Sequence, residues 1–461
     1  MTKIISTNPS NNSILWTIIS TSNEEIHKSV QEAKRSQELW SNRSIDERII
    51  YLKELYDDFT QKKEIIAQSI SAEMGMPIRQ ARDEVQYGLT YYAWYLENAE
   101  QYITPEITRE NNQEIHMVEY EARWVVAAIA PWNYPFSMFV WTCIQALLVG
   151  NVVVFKISKD VILTGKIIAD IISESSLPKA VWTEIYGDGT IGWILLEEDI
   201  DFVTFTGSTQ VWKNIAKTAV EKGIWCVMEL GGSAPWIICS DSNIDSVIET
   251  IYFLRYSNCG QMCDGLKRLI VQKERYNEVV SKLGDIIITK RIWNALDEKT
   301  DIWPLVSEKQ QTYLSEQYND ALEKWAKVLS QIDEKLIPKE GNFFPPTLLG
   351  NITKDMRVWN EEVFWPILPI ITFDNIEEAI ELANDTEYWL GAYVFTENIE
   401  TFKSISKRLK SGMIQMNTLN YCIPENPFWG YKNSWIGREH GKWGFHEFCN
   451  IKVTSIPKIS Q

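Results

Sequence analysis

The stretch NCGQMC, residues 258–263, sets Cys259 and Cys263 four positions apart among glycine and polar residues. A thiolate can serve as a nucleophile, a metal ligand or a redox partner, so three chemistries compete for this pair. Zinc would need two further ligands, and the four histidines (27, 116, 440 and 446) make no tight cluster in the sequence. A redox pair is more often spaced Cys-x-x-Cys. A nucleophile needs an acidic or basic partner and donors for an oxyanion. Cys263 falls just after a helical stretch and just before the strand-like LKRLIV. Glu229 ends the apolar run CVMEL beside Gly231 and Gly232, where a buried carboxylate is costly without a task. Cys263 and Glu229 are therefore a candidate nucleophile and acid–base partner. Cys143, Cys226 and Cys239 read as small core residues.

Two stretches could cradle phosphate. GDGTIG, residues 187–192, matches the G-x-G-x-x-G pattern between a strand and a helix. TGST, residues 206–209, precedes another helix whose free N–H groups suit an anion, although Ser and Thr there often serve only as caps. Taken alone, neither pattern decides between ligand binding and an ordinary turn.

The elements that must hold these residues alternate. Helical periodicity covers residues 24–70, and from residue 124 onward short apolar strands alternate with helices on both sides of the 230–263 region. Such alternation predicts parallel sheets covered on both faces, with ligands at the carboxyl ends of the strands. Residues 102–120 alternate polar and apolar without a helical stripe and read as a strand pair leaving the main body. The uncharged run Trp124–Phe155 resembles a membrane span, but Pro131, Asn133, Pro135, Gly150 and Asn151 interrupt it. It reads as strand, loop, helix and strand. The 461 residues allow two or three domains, and a net charge of -17 argues against nucleic acid. Seven cysteines without a disulfide-like spacing, and a start without a secretory signal, fit reduced thiols in a cytoplasm.

Taken together, APWNYPF (130–136), GNVVVFKIS (150–158), FTGST (205–209), ELGG (229–232), NCGQMC (258–263), EEVFWP (361–366) and PFWGYKNSWIGRE (427–439) resemble the aldehyde dehydrogenase superfamily. The resemblance implies an α/β fold with a Rossmann-like cofactor domain (1–101 and 121–231), an α/β catalytic domain (232–432) and a strand-pairing oligomerisation extension (102–120 and 433–461). It implies NAD(P)+-dependent oxidation of an aldehyde to an acid through a cysteine thiohemiacetal and a thioester. Cys263 would be the nucleophile and Glu229 the base that activates the hydrolytic water. Asn133 would donate its amide to the oxyanion beside the backbone N–H of Cys263. Trp132, Gly207 and Ser208 would border the pyrophosphate, Lys156 and Glu362 would hold the riboses, and Phe364 would pack near the nicotinamide. In this family FTGS, rather than GDGTIG, lies against the phosphates. Cys259 would be a bystander, no metal is required, and a homodimer or homotetramer is expected.

The chain departs from the family pattern in three ways. The family commonly places a Glu three residues after the ribose lysine, where it binds the 2′-hydroxyl; this chain has Lys159, so NADP should be accepted alongside NAD. Succinate-semialdehyde-specific members often carry an Arg eight residues after the oxyanion asparagine; here Trp141 stands there and suggests an aromatic tunnel. Arg255, read as a helix-surface residue, is the only substitute cation suggested. Finally, the chain holds 20 Trp and 22 Gly, against roughly 32 Gly at average usage. Trp212, Trp365, Trp389, Trp429 and Trp435 stand where the family pattern has glycine, which predicts strain or overpacking. A semialdehyde dehydrogenase, or a catalytically impaired protein of the same fold, are the competing readings.

Overall fold

The computed structural model describes residues 2–418 and 422–458. Its first large sheet has six strands in the order Trp435–Ile436, Trp225–Glu229, Phe202–Thr206, Val125–Ile129, Val152–Lys156 and Trp182–Ile185. All pairs are parallel except the edge strand Trp435–Ile436, which runs antiparallel to Trp225–Glu229. Val125–Ile129 and Val152–Lys156 are buried along their whole length. That explains their unbroken apolar sequences: a strand covered on both faces has no solvent side to mark with polar residues. Chain order reverses between Val125–Ile129 and Phe202–Thr206, so the loops leaving their carboxyl ends diverge and open a crevice.

The second sheet has seven strands in the order Lys327–Gln331, Thr347–Gly350, Ile367–Phe373, Leu266–Gln272, Ala234–Ile238, Gly391–Phe395 and Met413–Met416. It is parallel apart from Lys327–Gln331. A third, antiparallel sheet joins Glu106–Glu110, Glu114–Ala122 and Cys449–Pro457, with Val118 opposite Val453. The strand pair expected over 102–120 thus exists and receives a third strand from the far end of the chain.

The uncharged run resolves as expected into strand, loop, helix and strand. Its helix spans Pro135–Phe139 and Gln145–Val149 with a π turn at Val140–Ile144 between them. Pro135 starts the helix, where its missing N–H costs nothing. Glu84, on the long helix Ile78–Ile103, accepts the N–H of Ser137 at 2.8 Å and so anchors the first turn. Burial pushes the Glu84 carboxyl up to about 7. Among the described residues no helix is long and apolar enough to cross a membrane.

None of the five tryptophans at family glycine positions has a positive φ, so the strain expected there is absent. The indole N–H groups of Trp212, Trp365, Trp389 and Trp435 are nonetheless buried without a hydrogen-bond partner. Trp435 meets Phe428 edge-on at 5.4 Å, and Lys432 sits 4.6 Å over Trp389. Backbone strain falls instead on two other tryptophans, Trp124 (φ 83°) and Trp325 (φ 72°). Trp325 follows the helix Glu308–Glu323 and its N–H donates to Leu322 O at 3.0 Å, while the N–H of Ala326 donates to Ala321 O at 2.9 Å. This hydrogen-bonded helix end calls for a left-handed residue, and glycine fits it without a Cβ clash. The indole is 81% exposed and loses little on removal. Trp325→Gly should stabilise the protein by about 1 kcal/mol, the left-handed penalty less the extra chain entropy of glycine. A denaturation midpoint below that of the parent would overturn this expectation.

Candidate active site

The carboxyl ends of the first sheet face the amino ends of the second. From the first come Trp132 and Asn133, Gly207 and Ser208, and Glu229; from the second come Cys263, Glu362 and Phe364. These eight residues line one cavity of about 500 Å³. The carboxyl-end rule therefore describes only half of the site. Cys263 lies three residues before the strand Leu266–Gln272, and Phe364 three before Ile367–Phe373.

The nucleophile loop is strained and tied down. Asn258 (φ 48°), Cys259 (φ 51°) and Gly260 (φ 74°) are all left-handed, a conformation easy for the glycine, tolerated by the asparagine and costly for the cysteine. Hydrogen bonds over-determine it, as strain at functional sites requires. The N–H of Asn258 donates to Gln80 Oε1 at 3.0 Å, and Asn258 Nδ2 donates to Asn133 O at 2.8 Å and Gln261 O at 3.1 Å. Gln261 Nε2 returns to Asn258 O at 3.0 Å. Asn133 Nδ2 donates to Gln261 O at 3.1 Å, so the expected oxyanion donor is fixed to the nucleophile loop itself. Cys259 is buried with its thiol on Trp303 O at 3.4 Å, facing away from this chemistry. Gly232 lets the loop come close: a Cβ there would collide with the carbonyl oxygen of Cys263. Asn258 and Gln261 escaped the sequence reading of the site; an Asn before Cys-Gly was the available signal, because Asn tolerates left-handed backbone.

Cys263 is half-buried and Glu229 is buried. Burial first, and then the charge of Glu229, pushes the Cys263 thiol well above its usual range. Burial likewise raises the Glu229 carboxyl far above ordinary values, with a side-chain bond to Cys263 opposing. Glu229 Oε1 and Thr206 Oγ1 are buried without a hydrogen-bond partner at the cavity wall. Such orphan groups suit a site that awaits a ligand or water.

Of the two phosphate candidates, TGST lines the cavity and GDGTIG does not. GDGTIG follows the edge strand Trp182–Ile185, two strands from the crevice beside Val125–Ile129. Asp188 accepts the N–H of Thr190 at 2.8 Å and caps the helix Gly189–Glu197 with a carboxylate, which would repel phosphate. Ser208 precedes the helix Thr209–Lys222 but its side chain accepts no capping bond, so that helix start keeps its N–H groups for an anion.

Lys156 and Lys159 lie outside this cavity lining. Lys156 ends its strand, donates Nζ to Ile157 O at 3.1 Å and is drawn down to about 8 by burial. Lys159 starts the next turn with its side chain 57% exposed, 4.0 Å from Asp160. Arg255 is neither on the surface nor free to meet a substrate. It is fully buried, donating to Leu266 O at 2.6 Å, Val363 O at 3.1 Å and also Trp365 O. The guanidinium fork ties together carbonyls at the start of the strand Leu266–Gln272 and on either side of Phe364. Trp365 is buried at the cavity wall, stacked 6.3 Å from Trp132 and edge-on to Phe364 at 5.8 Å. Trp141 packs against Tyr91 at 5.5 Å and His440 at 5.1 Å; burial drops the His440 imidazole to about 3, leaving it neutral.

Known proteins share this arrangement from end to end. The model of the Aldehyde dehydrogenase family matches residues 1–454. The chain is 30% identical to a succinate semialdehyde dehydrogenase (NAD(P)+) of Escherichia coli strain K12 over 462 residues, covering 99% of each. It is also 30% identical to the mitochondrial succinate-semialdehyde dehydrogenase of Mus musculus, over 96% of this chain and 86% of that protein. An aldehyde dehydrogenase from Bacillus cereus in complex with NAD+ superposes with a TM-score of 0.95 at 28% identity, over 99% of this chain and 93% of that one. The match extends across both sheets and the cavity between them, and this chain belongs to the aldehyde dehydrogenase family.

Proposed function

We propose that the chain oxidises an aldehyde to its carboxylic acid with NAD+ or NADP+, and that Cys263, Glu229 and Asn133 carry the chemistry. The supporting observation is their meeting in one cavity where the two sheets face each other. The thiolate of Cys263 attacks the aldehyde carbon, and the adduct's oxygen receives the backbone N–H of Cys263 and the amide of Asn133. Donors fixed in advance by the Asn258–Gln261 network stabilise charge that appears only in the adduct. A nicotinamide held beside Phe364 would accept the hydride that the adduct carbon gives up, leaving the acyl group as a thioester on Cys263. Glu229 then takes a proton from water, which releases the acid.

The cavity fits such a cofactor. The helix start after Ser208 and the close approach at Gly207, with Trp132 beside them, border its pyrophosphate; Glu362 offers a carboxylate to a ribose diol, and Phe364 a ring face to the nicotinamide. Lys156 and Lys159 extend the site toward the second ribose. In this reading residues 1–101 and 121–231 bind cofactor, 232–432 carry catalysis, and 102–120 with the strand Cys449–Pro457 pair subunits into a homodimer or homotetramer in the cytoplasm; the expected extension 433–461 is too wide, because Trp435–Ile436 belongs to the first sheet. The exposed Ile107, Ile451, Val453 and Ile456 of the third sheet support that pairing.

Trp141, Tyr87, Tyr91 and a neutral His440 lie outside the cavity lining; in this reading they wall the aldehyde's path to Cys263 and favour an uncharged aldehyde, since a semialdehyde carboxylate would find no cation among them. Reduced-cofactor absorbance across an aldehyde panel tests the whole reading. An uncharged aldehyde should outpace succinate semialdehyde of equal chain length. Preference for the semialdehyde would reinstate that alternative, and inactivity toward every aldehyde would leave a scaffold.

Cofactor choice should follow Lys159. Lys159→Glu places a carboxylate where a 2′-phosphate would lie, an exchange of about 1–2 kcal/mol at a half-exposed site. The ratio of NADP+ to NAD+ affinity should fall about tenfold. An unchanged ratio would mean that Lys159 does not face the 2′ position.

A further inference from the structure

One buried cation beside the cavity has no part in the chemistry above. Lys267 is the second residue of the strand Leu266–Gln272, four past the nucleophile, and is 1% exposed. A lysine is almost never fully buried unless it is paired. Its Nζ lies 3.9 Å from Glu362 Oε1, 3.5 Å from Gly260 O and 4.5 Å from the centre of the Phe364 ring. These partners belong to three parts of the site: the ribose carboxylate, the nucleophile loop and the ring that meets the nicotinamide. Glu362 Oε1 also accepts the N–H of Gly232 at 2.9 Å. The protein thus occupies Oε1, while Oε2 lies over Gly231, where a Cβ would crowd it, at the cavity wall.

We propose that Lys267 is a positioning residue for the cofactor, whose ammonium holds Glu362 ionised and turned so that Oε2 meets the ribose diol. The inference rests on the assignment of Glu362 to the ribose. A carboxylate in this pocket needs a counter-charge, because desolvation favours its neutral form and an acid would present a proton where a ribose hydroxyl must donate. Arg255 is the other cation that favours the charged form of Glu362, but its guanidinium is committed to backbone carbonyls. The groups facing Lys267 are Glu362, Arg255, Cys263 and Asp264. Burial lowers the amine to about 7, with Glu362 opposing that fall. Burial also raises the Glu362 carboxyl, so the pairing exists above that raised range and is lost as the amine deprotonates through about 7. The Phe364 ring gains a second benefit, since a cation over its face holds the plane in place.

The test is a double-mutant cycle read in cofactor dissociation constants. Lys267→Met should weaken both NAD+ and NADP+ about tenfold or more, and adding it to Glu362→Gln should cost no more than Glu362→Gln alone. A Lys267→Met protein that binds within about twofold of the parent, or costs that simply add, would overturn the inference. Glu362→Gln binding as the parent does would overturn the ribose assignment as well; weakened binding in Glu362→Gln beside an unaffected Lys267→Met would overturn the lysine's role alone. Should Lys267→Met fail to fold, the pH dependence decides. The parent's affinity for NAD+ should fall further between about pH 6 and pH 8.5 than that of Glu362→Gln, Lys156 contributing the same slope to both, and equal slopes would overturn the proposal.

Discussion

Cys263→Ala should lose about 10⁴-fold or more in aldehyde oxidation while binding cofactor as the parent does, and Cys259→Ala should keep its turnover within about threefold. The two thiols differ in what surrounds them. Cys263 is half-buried in the cavity with Glu229 and the amide of Asn133 to hand. Cys259 is fully buried, its thiol donated to Trp303 O and outside the cavity lining, where no substrate carbon reaches it. Removing the Cys259 thiol deletes one hydrogen bond and a little packing, about 1 kcal/mol of stability, without touching the oxyanion donors. Removing the Cys263 thiol deletes the atom that would form the covalent adduct in the proposed reaction. Equal losses in the two variants would mean that the pair acts together, as a redox or metal site would.

That contrast was partly legible in the sequence. The resemblance assigned Cys263, and the apolar run CVMEL pointed to a buried Glu229, because both depend on local pattern. Strand–helix alternation gave the two sheets for the same reason. What the pattern could not carry was the partner of each buried charge. Arg255 looked like a helix-surface residue because its neighbours alternate like any amphipathic helix, yet it serves carbonyls of Leu266 and Val363, the latter 108 residues away. Lys267 sits inside the apolar run LKRLIV with nothing local to mark its ion pair with Glu362. Strain was misplaced for a related reason. Family glycines at 212, 365, 389, 429 and 435 imply little space, but little space is not positive φ, and only φ makes a side chain intrinsically costly. The choice between the two glycine-rich turns turned on where each strand lies in the sheet, which the motif does not encode.

Glu229→Gln should convert the enzyme from many turnovers to one. The amide that replaces the carboxylate cannot take a proton from water, so thioester hydrolysis should slow by about 10²–10⁴-fold, the usual worth of a general base. Attack by Cys263 needs no base beyond its own ionisation, so a burst of one reduced cofactor per site should survive. The pH dependence separates the two groups. Burial, and then the charges of Glu439 and Glu362, hold the Glu229 carboxyl far above ordinary values. Its active, ionised form is therefore lost as pH falls through that raised value, and steady turnover in the parent should climb steadily on the alkaline side. In Glu229→Gln the climb of the slow steady phase should vanish, while the burst keeps a pH dependence of its own from the Cys263 thiol. Stability runs the other way. A carboxyl whose pKa is raised on folding binds its proton more tightly in the folded state, so its contribution is full below the ordinary carboxylate range and is lost as pH rises through the raised value. Glu229→Gln should accordingly flatten the alkaline fall in the denaturation midpoint while abolishing steady turnover. Multiple turnovers at the parent's rate would remove Glu229 from the mechanism, and loss of the burst along with turnover would mean that it also draws the proton from Cys263.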